Sequence, residues 1–389
     1  LSCGRHGAPN NPAQGALPYM TCATLPARAR GCQIDGARPL LQENAMKLSR
    51  LTIATFNLYN LNLPGRKIYT GAGWTQEQYD LKIAWTAHQL KLLAPDVLGV
   101  QELWHADALA AALNASGLAD QYDLLVPPDA DGTHIVCAAL VRKGLLVGAP
   151  DWITAFPDLF VLRSRGDDPQ TPQIEVNIQG FSRPVLHCAI QPRDGQPAVQ
   201  VYVCHFKSKA PTQVFKEDWY DKTTYGRHAK GLGSALSTIR RTAEAAALRF
   251  LLSEQMKGND QPVIVLGDIN DGQHSNTANI LTEQPRYLVG DSEGGGDLAL
   301  YTAQTLQEYR DTRDVYYTHV HQDIRESLDH ILVSQEFYDN SKKRLWMFDG
   351  LVINNDHLNF EDHKALGTND HGIIRAAFKY KPVTAKSPA

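Results

Sequence analysis

The 389-residue sequence lacks any apolar run approaching the ~18–20 residues that a transmembrane helix needs, so no integral membrane segment is expected. It lacks a charge bias. Thirty-eight Lys and Arg stand against 42 Asp and Glu, a formal net charge of −4. That argues against a strong electrostatic grip on long nucleic acid, while a local basic groove stays open. Cysteine is sparse, with six residues and no C-x-x-C spacing. Cys137, Cys188 and Cys204 lie in apolar runs and are expected as buried thiols. A Cys188–Cys204 disulfide stays open should their strands be neighbours. HExxH, the G-K-[ST] ending of a P-loop and the G-x-S-x-G elbow are all absent, which removes three common routes to hydrolysis. No internal repeat points to a solenoid.

What is present begins near Met46. Residues 1–45 are rich in Gly, Pro and Ala, hold no helical or strand period, and lack the basic start and apolar core of a secretory signal. They are expected to be a loosely ordered or non-native arm. Residues 46–380 read as one domain, 381–389 as a flexible tail, and the compartment as cytoplasmic. Strands and helices recur from Leu51. Thr75 and Gln78 form a capping box for a helix that Pro95 ends. A long helix is expected from about Ser237 to Met256. Polar stretches at 207–235, 271–297 and 354–369 are long for loops that serve no site.

The run "PVIVLGDIND" (262–271) sets Val263, Ile264, Val265 and Leu266 before Asp268, Asn270 and Asp271. The apolar part reads as a strand buried on both faces. A charge at its end is costly if dry and unpaired, so the carboxylates must reach water, hold a partner or bind a cation. Other strands end the same way, at Asn57, Glu102 and His205. Two more start with polar groups, at Asp329 and at Asp370-His371. If these two run antiparallel to the rest, all six polar ends meet along one edge of the sheet. Oxygen donors with few thiols suit a hard divalent cation, Mg²⁺ or Mn²⁺, with Ca²⁺ open. An EF-hand is rejected, because Asn279 stands where its twelfth-position Glu belongs.

At these residues the chain resembles the endonuclease/exonuclease/phosphatase superfamily, the deoxyribonuclease I-like fold. "TFNLYN", "GVQELW", "CHFKSKA", "GDIND", "LDHILVS" and "TNDHGII" match in order across 51–378. The resemblance implies a four-layer α/β sandwich, two packed mixed β-sheets flanked by helices, with the site at one end. It implies a divalent-metal-dependent phosphoester hydrolase, a phosphodiesterase or nuclease by preference. Glu102 would be the principal metal ligand, with Asn57 and Asp370 beside it. Asp268 would position or deprotonate water, and Asn270 would hold a phosphate oxygen. His371 would bind phosphate, oriented by Asp329, with His205 as second imidazole. Asn369 departs from the Ser often found before Asp-His. "NLY" stands after the first strand where some nuclease members have Asn-x-Asp.

Several readings stay open. Asn57 could cap a turn and His205 could be a satisfied core histidine. Arg183 could bind phosphate or bridge two loops. Lys207 and Lys209 begin a stretch with interleaved Trp219, Tyr220 and Tyr225, which would suit phosphate contact and base stacking, a lid, or a solvated loop. The Asp-His pairs at 356–357 and 362–363 read as solvated, and His330 as pointing away from Asp329. The partner would be a phosphoester, nucleic acid or small, with no obligate protein partner. Small phosphodi-, tri- or monoesters are the rival substrates. A non-catalytic binding module is the rival of another class.

Overall fold

The computed structural model describes residues 47–166, 170–285, 287, 295–313, 316–360 and 362–383. The expected arm at 1–45 and residues 384–389 of the expected tail lie outside the described residues. In chain order the strands and helices are β1 (Arg50–Leu61), α1 (Gln76–Leu93), β2 (Val97–His105), α2 (Ala106–Ser116), β3 (Tyr122–Leu125), β4 (Asp131–Arg142), β5 (Leu146–Ala155), β6 (Leu162–Ser164), β7 (Ile174–Val176), β8 (Gly180–Ile190) and β9 (Val199–His205). Then come α3 (Lys222–Tyr225), α4 (Ala229–Met256), β10 (Val263–Asp268), α5 (Asn276–Thr282), β11 (Tyr301–Thr302), α6 (Ala303–Glu308), β12 (His319–His321), β13 (Ile324–Glu326), β14 (Asp329–Val333), β15 (Trp346–Asn354), α7 (His363–Leu366) and β16 (Ile373–Tyr380).

Two six-stranded mixed sheets result, in the orders β15-β16-β1-β2-β4-β3 and β11-β14-β10-β9-β8-β5. Strand alternation sorts their side chains into layers. Ile53 and Val97 of the first sheet meet Val201, Val203, Ile264 and Leu266 of the second in a shared core. Phe56, Leu98 and Val100 face the other way, onto Leu90 of α1 and Leu109 of α2. Val263 and Val265 likewise face Leu248 and Leu252 of α4. The architecture is the four-layer α/β sandwich, and β10 is buried on both faces because it lies between a sheet and a helix.

Two glycines let backbones approach. A Cβ on Gly99 would lie 2.0 Å from Leu266 Cδ1, so β2 presses its bare backbone on β10. Gly267 has φ +142°, and a Cβ there would lie 2.0 Å from the Cys204 carbonyl oxygen. The Thr75–Gln78 capping box forms. The long helix α4 starts at Ala229, well before Ser237. Its glycines argue for a loop by propensity. However, Gly233 is packed against Thr212, whose carbonyl oxygen a Cβ would meet at 2.3 Å. Cys188 lies opposite Val201, and Leu186 opposite Val203, so Cys188 and Cys204 are offset along neighbouring strands. Both are buried free thiols, as is Cys137, and the disulfide left open does not form.

Candidate active site

Strand direction does what the polar ends require, with one correction. β1 is parallel to β2 and antiparallel to β16. β10 is parallel to β9 and antiparallel to β14. The six polar groups therefore meet, but at the same end of two facing sheets and not on one edge of one sheet, and Asn57 and Glu102 lie not at strand ends but inside β1 and β2, where the ladder between them shifts register. The physical reason is the shared core: strands buried on both faces leave polar groups nowhere to go but the ends.

On the second sheet Asp268 is in register with His205 on one side and Asp329 on the other. Asp268 has the parity of Ile264 and Leu266, so it faces the first sheet. There Asn57 Nδ2 donates to Asp268 Oδ2 at 3.2 Å. His205 Nε2 is 3.6 Å from the same oxygen. Asn270 N–H donates to Asp268 Oδ1 at 2.8 Å. Burial pushes the Asp268 carboxyl up to about 7, with Asp329 and Glu102 adding to it and His371 opposing. Burial also pushes the His205 imidazole well below its ordinary value, helped by the positive charge of Arg183. Its Nδ1 is buried with no partner among the described residues.

His371 precedes β16 and crosses the gap. Its Nδ1 lies 2.8 Å from Asp329 Oδ2 and its Nε2 4.0 Å from Asp268 Oδ2. Burial opposes its protonation, but the carboxylates of Asp329, Asp268 and Asp370 outweigh that and hold its pKa well above the usual value. His371 Nδ1–H donates to Asp329 Oδ2, which leaves Nε2 facing the site.

The first sheet presents its acids differently. Glu102 has φ +56°, and Tyr59 and Asn60 have φ +51° and +55°. Left-handed non-glycine residues are uncommon and gather at functional sites. The register breaks here between Asn57/Gln101 and Leu61/Leu103. Glu102 Oε2 accepts the Asn60 N–H at 3.0 Å. Its pKa is raised by burial and then by Asp370. Asp370 Oδ1 is buried with no partner among the described residues. A carboxyl raised by a neighbouring carboxylate that itself has an orphaned oxygen is a donor set that a hard divalent cation suits.

Two contributors escaped the sequence reading. His319, on β12, joins Asp370 and His371 in a group whose ligand atoms lie within 4.8 Å of one another. Its ring is 5.0 Å from that of His371. Lys82 of α1 is fully buried behind the site. Its ammonium donates to the Thr368 carbonyl at 2.8 Å and Asn369 Oδ1 at 2.7 Å. It lies 5.3–5.9 Å from the ring centres of Trp85, Tyr59 and Trp74. Asn369 Nδ2 in turn donates to the carbonyls of Asn57 and His371. That gives Asn369 a tie between the two strand ends.

The remaining candidates divide. Arg183 Nη1 donates to the Phe206 carbonyl at 3.2 Å, which bridges two strands next to the site. Asn270 Nδ2 donates to the same carbonyl at 3.0 Å. Lys207 turns its ammonium to Ala210 O at 3.1 Å. Lys209 is held by Glu326 at 2.6 Å and Asp271 at 3.4 Å, an ion-paired position and not one in the cluster. His330 does point away, with Nε2 on the Asp271 and Ser327 carbonyls. His357 corrects the solvated reading. It is buried, and its Nε2 lies 2.7 Å from the His371 carbonyl oxygen. His363, half-buried, has Nδ1 3.0 Å from Thr368 Oγ1.

Residues 54–363 match the model of the Endonuclease/Exonuclease/phosphatase family. A search of curated protein sequences gives no match. Among solved structures, a humanized D. rerio TDP2 carrying 14 mutations is 15% identical, with 85% of this chain and 100% of that chain covered and a TM-score of 0.50. A truncated Caenorhabditis elegans TDP2 is 14% identical, with 86% and 99% covered and a TM-score of 0.49. The human Nocturnin catalytic domain with bound sulfate is 15% identical, with 87% and 96% covered and a TM-score of 0.48. The first of these likenesses speaks for the fold.

Proposed function

The chain belongs to the endonuclease/exonuclease/phosphatase family, and from that premise we propose that it is a divalent-metal-dependent phosphoester hydrolase that cleaves phosphodiesters in the manner of a nuclease. One observation carries the reading. Asp268 sits in register between His205 and Asp329, reaches Asn57 across the sandwich, and faces the crowded acids Glu102 and Asp370.

Glu102 and Asp370 would hold the cation, with Asn57 and His319 beside them. When bound, it supplies positive charge for the phosphate oxygens and the leaving oxygen. Asp268 takes a proton from water as the water oxygen attacks phosphorus in line. A carboxyl raised toward neutrality suits that task better than an ordinary one. His371, held protonated by Asp329, donates from Nε2 to a phosphate oxygen, where a charged donor is worth most. His205, kept neutral by burial, accepts or donates beside Asp268 without adding charge. Asn270 fixes Asp268 through its backbone N–H and has a second side-chain N–H left for phosphate.

The test is a metal-by-substrate panel: plasmid, single-stranded DNA, RNA, and aryl phosphate mono-, di- and triesters, each with Mg²⁺, Mn²⁺, Ca²⁺ or chelator. Diester turnover that chelator abolishes is expected. Turnover of monoesters or triesters but not diesters would move the enzyme to the rival substrate class. No turnover of any ester with any metal would favour a binding module.

A further inference from the structure

A cavity of about 710 Å³ opens beside the acids, and its walls have a one-sided character. Arg66, Lys67, Arg183 and Lys207 line it together with Tyr69 and Trp104, and no carboxylate does. On a chain of net charge −4 that is a local concentration of cations. Trp104 and Lys207 each stand two residues from a site residue, Glu102 and His205. Burial and the Glu102 charge raise the Tyr69 hydroxyl pKa and Arg183 lowers it, so this wall of the cavity stands within electrostatic reach of Glu102.

The outer wall is a loop held in an unfavourable shape. Tyr69 has φ +52°, a conformation bulky side chains avoid. Residues Ile68 and Gly71 exchange both backbone hydrogen bonds, at 3.0 and 3.3 Å. A Cβ on Gly73 would lie 1.7 Å from the Arg66 carbonyl oxygen, so the two limbs of the loop touch. Trp74 Nε1 ties the loop to the Asn60 carbonyl at 2.8 Å. Tyr69 is thereby fixed with its ring edge-on to Trp104, centroids 5.1 Å apart, while remaining 60% exposed. Arg66 is steadied by the Asp131 carbonyl at 2.9 Å. The exposed Lys67 ammonium has no hydrogen bond or ion pair among the described residues. An exposed ring, here Tyr69 backed by the buried Trp104, beside a cation without a partner, here Lys67, is a means by which proteins hold a base and its phosphate. The volume falls within the ~300–1,000 Å³ of small-ligand sites and is short for a polynucleotide track.

Resting on the phosphodiesterase reading above, we propose that this cavity is a recognition pocket for a terminal nucleotide: an aromatic base against the exposed Tyr69 ring, which the buried Trp104 backs, and a second phosphate, not the scissile one, on Arg66 and Lys67. The preferred substrate is then a short or end-bearing phosphodiester with a terminal phosphate, and internal cleavage of long duplexes is secondary.

The experiment compares kcat/KM for a dinucleotide with and without a 5′-terminal phosphate, with a bis-aryl phosphodiester as reference. Charge-assisted contacts predict a preference of about tenfold or more for the phosphorylated dinucleotide. In Arg66→Ala/Lys67→Ala that ratio should fall to within about twofold, and Lys216→Ala, outside the cavity, should leave it unchanged. Separately, thymidine 5′-phosphate titrated into chelator-treated protein should change Trp104-dependent tryptophan fluorescence, and Arg66→Ala/Lys67→Ala should weaken the binding. Aryl diester turnover without any terminal-phosphate preference, or a preference that survives the double variant, overturns the pocket alone. Absence of turnover on all three esters overturns the underlying function, and the fluorescence titration then decides the pocket by itself.

Discussion

On the second sheet Asp268, His205 and Asp329 lie in unbroken register, and each carboxylate or imidazole has a neighbour to lean on. On the first sheet Glu102 is reached through a broken register and left-handed residues, and Asp370 keeps an orphaned oxygen. Regular pairing sets three titratable groups side by side, although His205 Nδ1 and Asp329 Oδ1 stay buried with no partner among the described residues. Distorted pairing produces two acids that repel each other until something positive lies between them. In the proposed mechanism proton handling falls mainly to the second sheet and cation binding to the first, with His371 belonging to the first by chain and to the second by hydrogen bond, and close enough to Asp268 and Asp329 for those three to bear on a cation as well.

The largest effects test that separation. Glu102→Ala and Asp268→Asn should each lower kcat by about 10³-fold or more. They should differ in calorimetry: Glu102→Ala loses Mn²⁺ affinity and Asp268→Asn keeps it. Equal loss of affinity in both would erase the division. Next comes the link between the sheets. Asp329→Asn and His371→Ala should each cost about 10²-fold in kcat, and the double variant should be little worse than the worse single one. His330→Ala, buried on the opposite strand face, should lower the melting temperature but change kcat by less than about threefold. Additive losses would mean that Asp329 does not act through His371. His319→Ala should weaken Mn²⁺ binding by about tenfold, the scale of a supporting contact. Unchanged affinity would remove His319 from the cation site.

The smallest effect is on stability and has a defined sign. The folded protein holds the Asp268 proton up to about pH 7, whereas an unperturbed carboxyl loses it near 3.8. Metal-free stability therefore falls as pH rises across that window. Asp268→Asn has no such proton to lose. Its melting temperature relative to wild type should be lowest at pH 4 and should climb by a few degrees toward pH 8. A flat difference across this range would mean that Asp268 ionises normally when metal is absent.

The strand ends were legible because strand period, direction and apolar runs are local, and six of them in order leave little freedom. What depended on distant partners was not. Nothing in the sequence singles out Lys82, since its cage comes from Tyr59, Trp74 and Trp85 at separate points of the chain. His319 sits in "THVHQDIRE", too short and polar to read as a strand. His357 looks solvated until the His371 carbonyl arrives above it. Lys209 reads as a phosphate contact, lid or loop residue because Glu326, its partner, lies far along the sequence. The shared end of two sheets, as opposed to one edge, is likewise a property of packing that strand patterns do not carry.

His319 rides on the least anchored part of this site. The β12–β13 ribbon has three residues per strand and turns at Gln322 and Asp323, both with positive φ as a tight hairpin turn requires. Such a ribbon is marginal in isolation. It is fastened at its base, where Thr318 Oγ1 accepts the N–H groups of Leu328 and Asp329 and His319 bridges to His371. Its amides should therefore exchange with solvent through local opening, long before those of Val203 or Val265 in the sheet interior. Mn²⁺ should slow that exchange in the ribbon and leave the sheet interior unaffected. The breathing of an eight-residue hairpin would then set how quickly an ion enters and leaves.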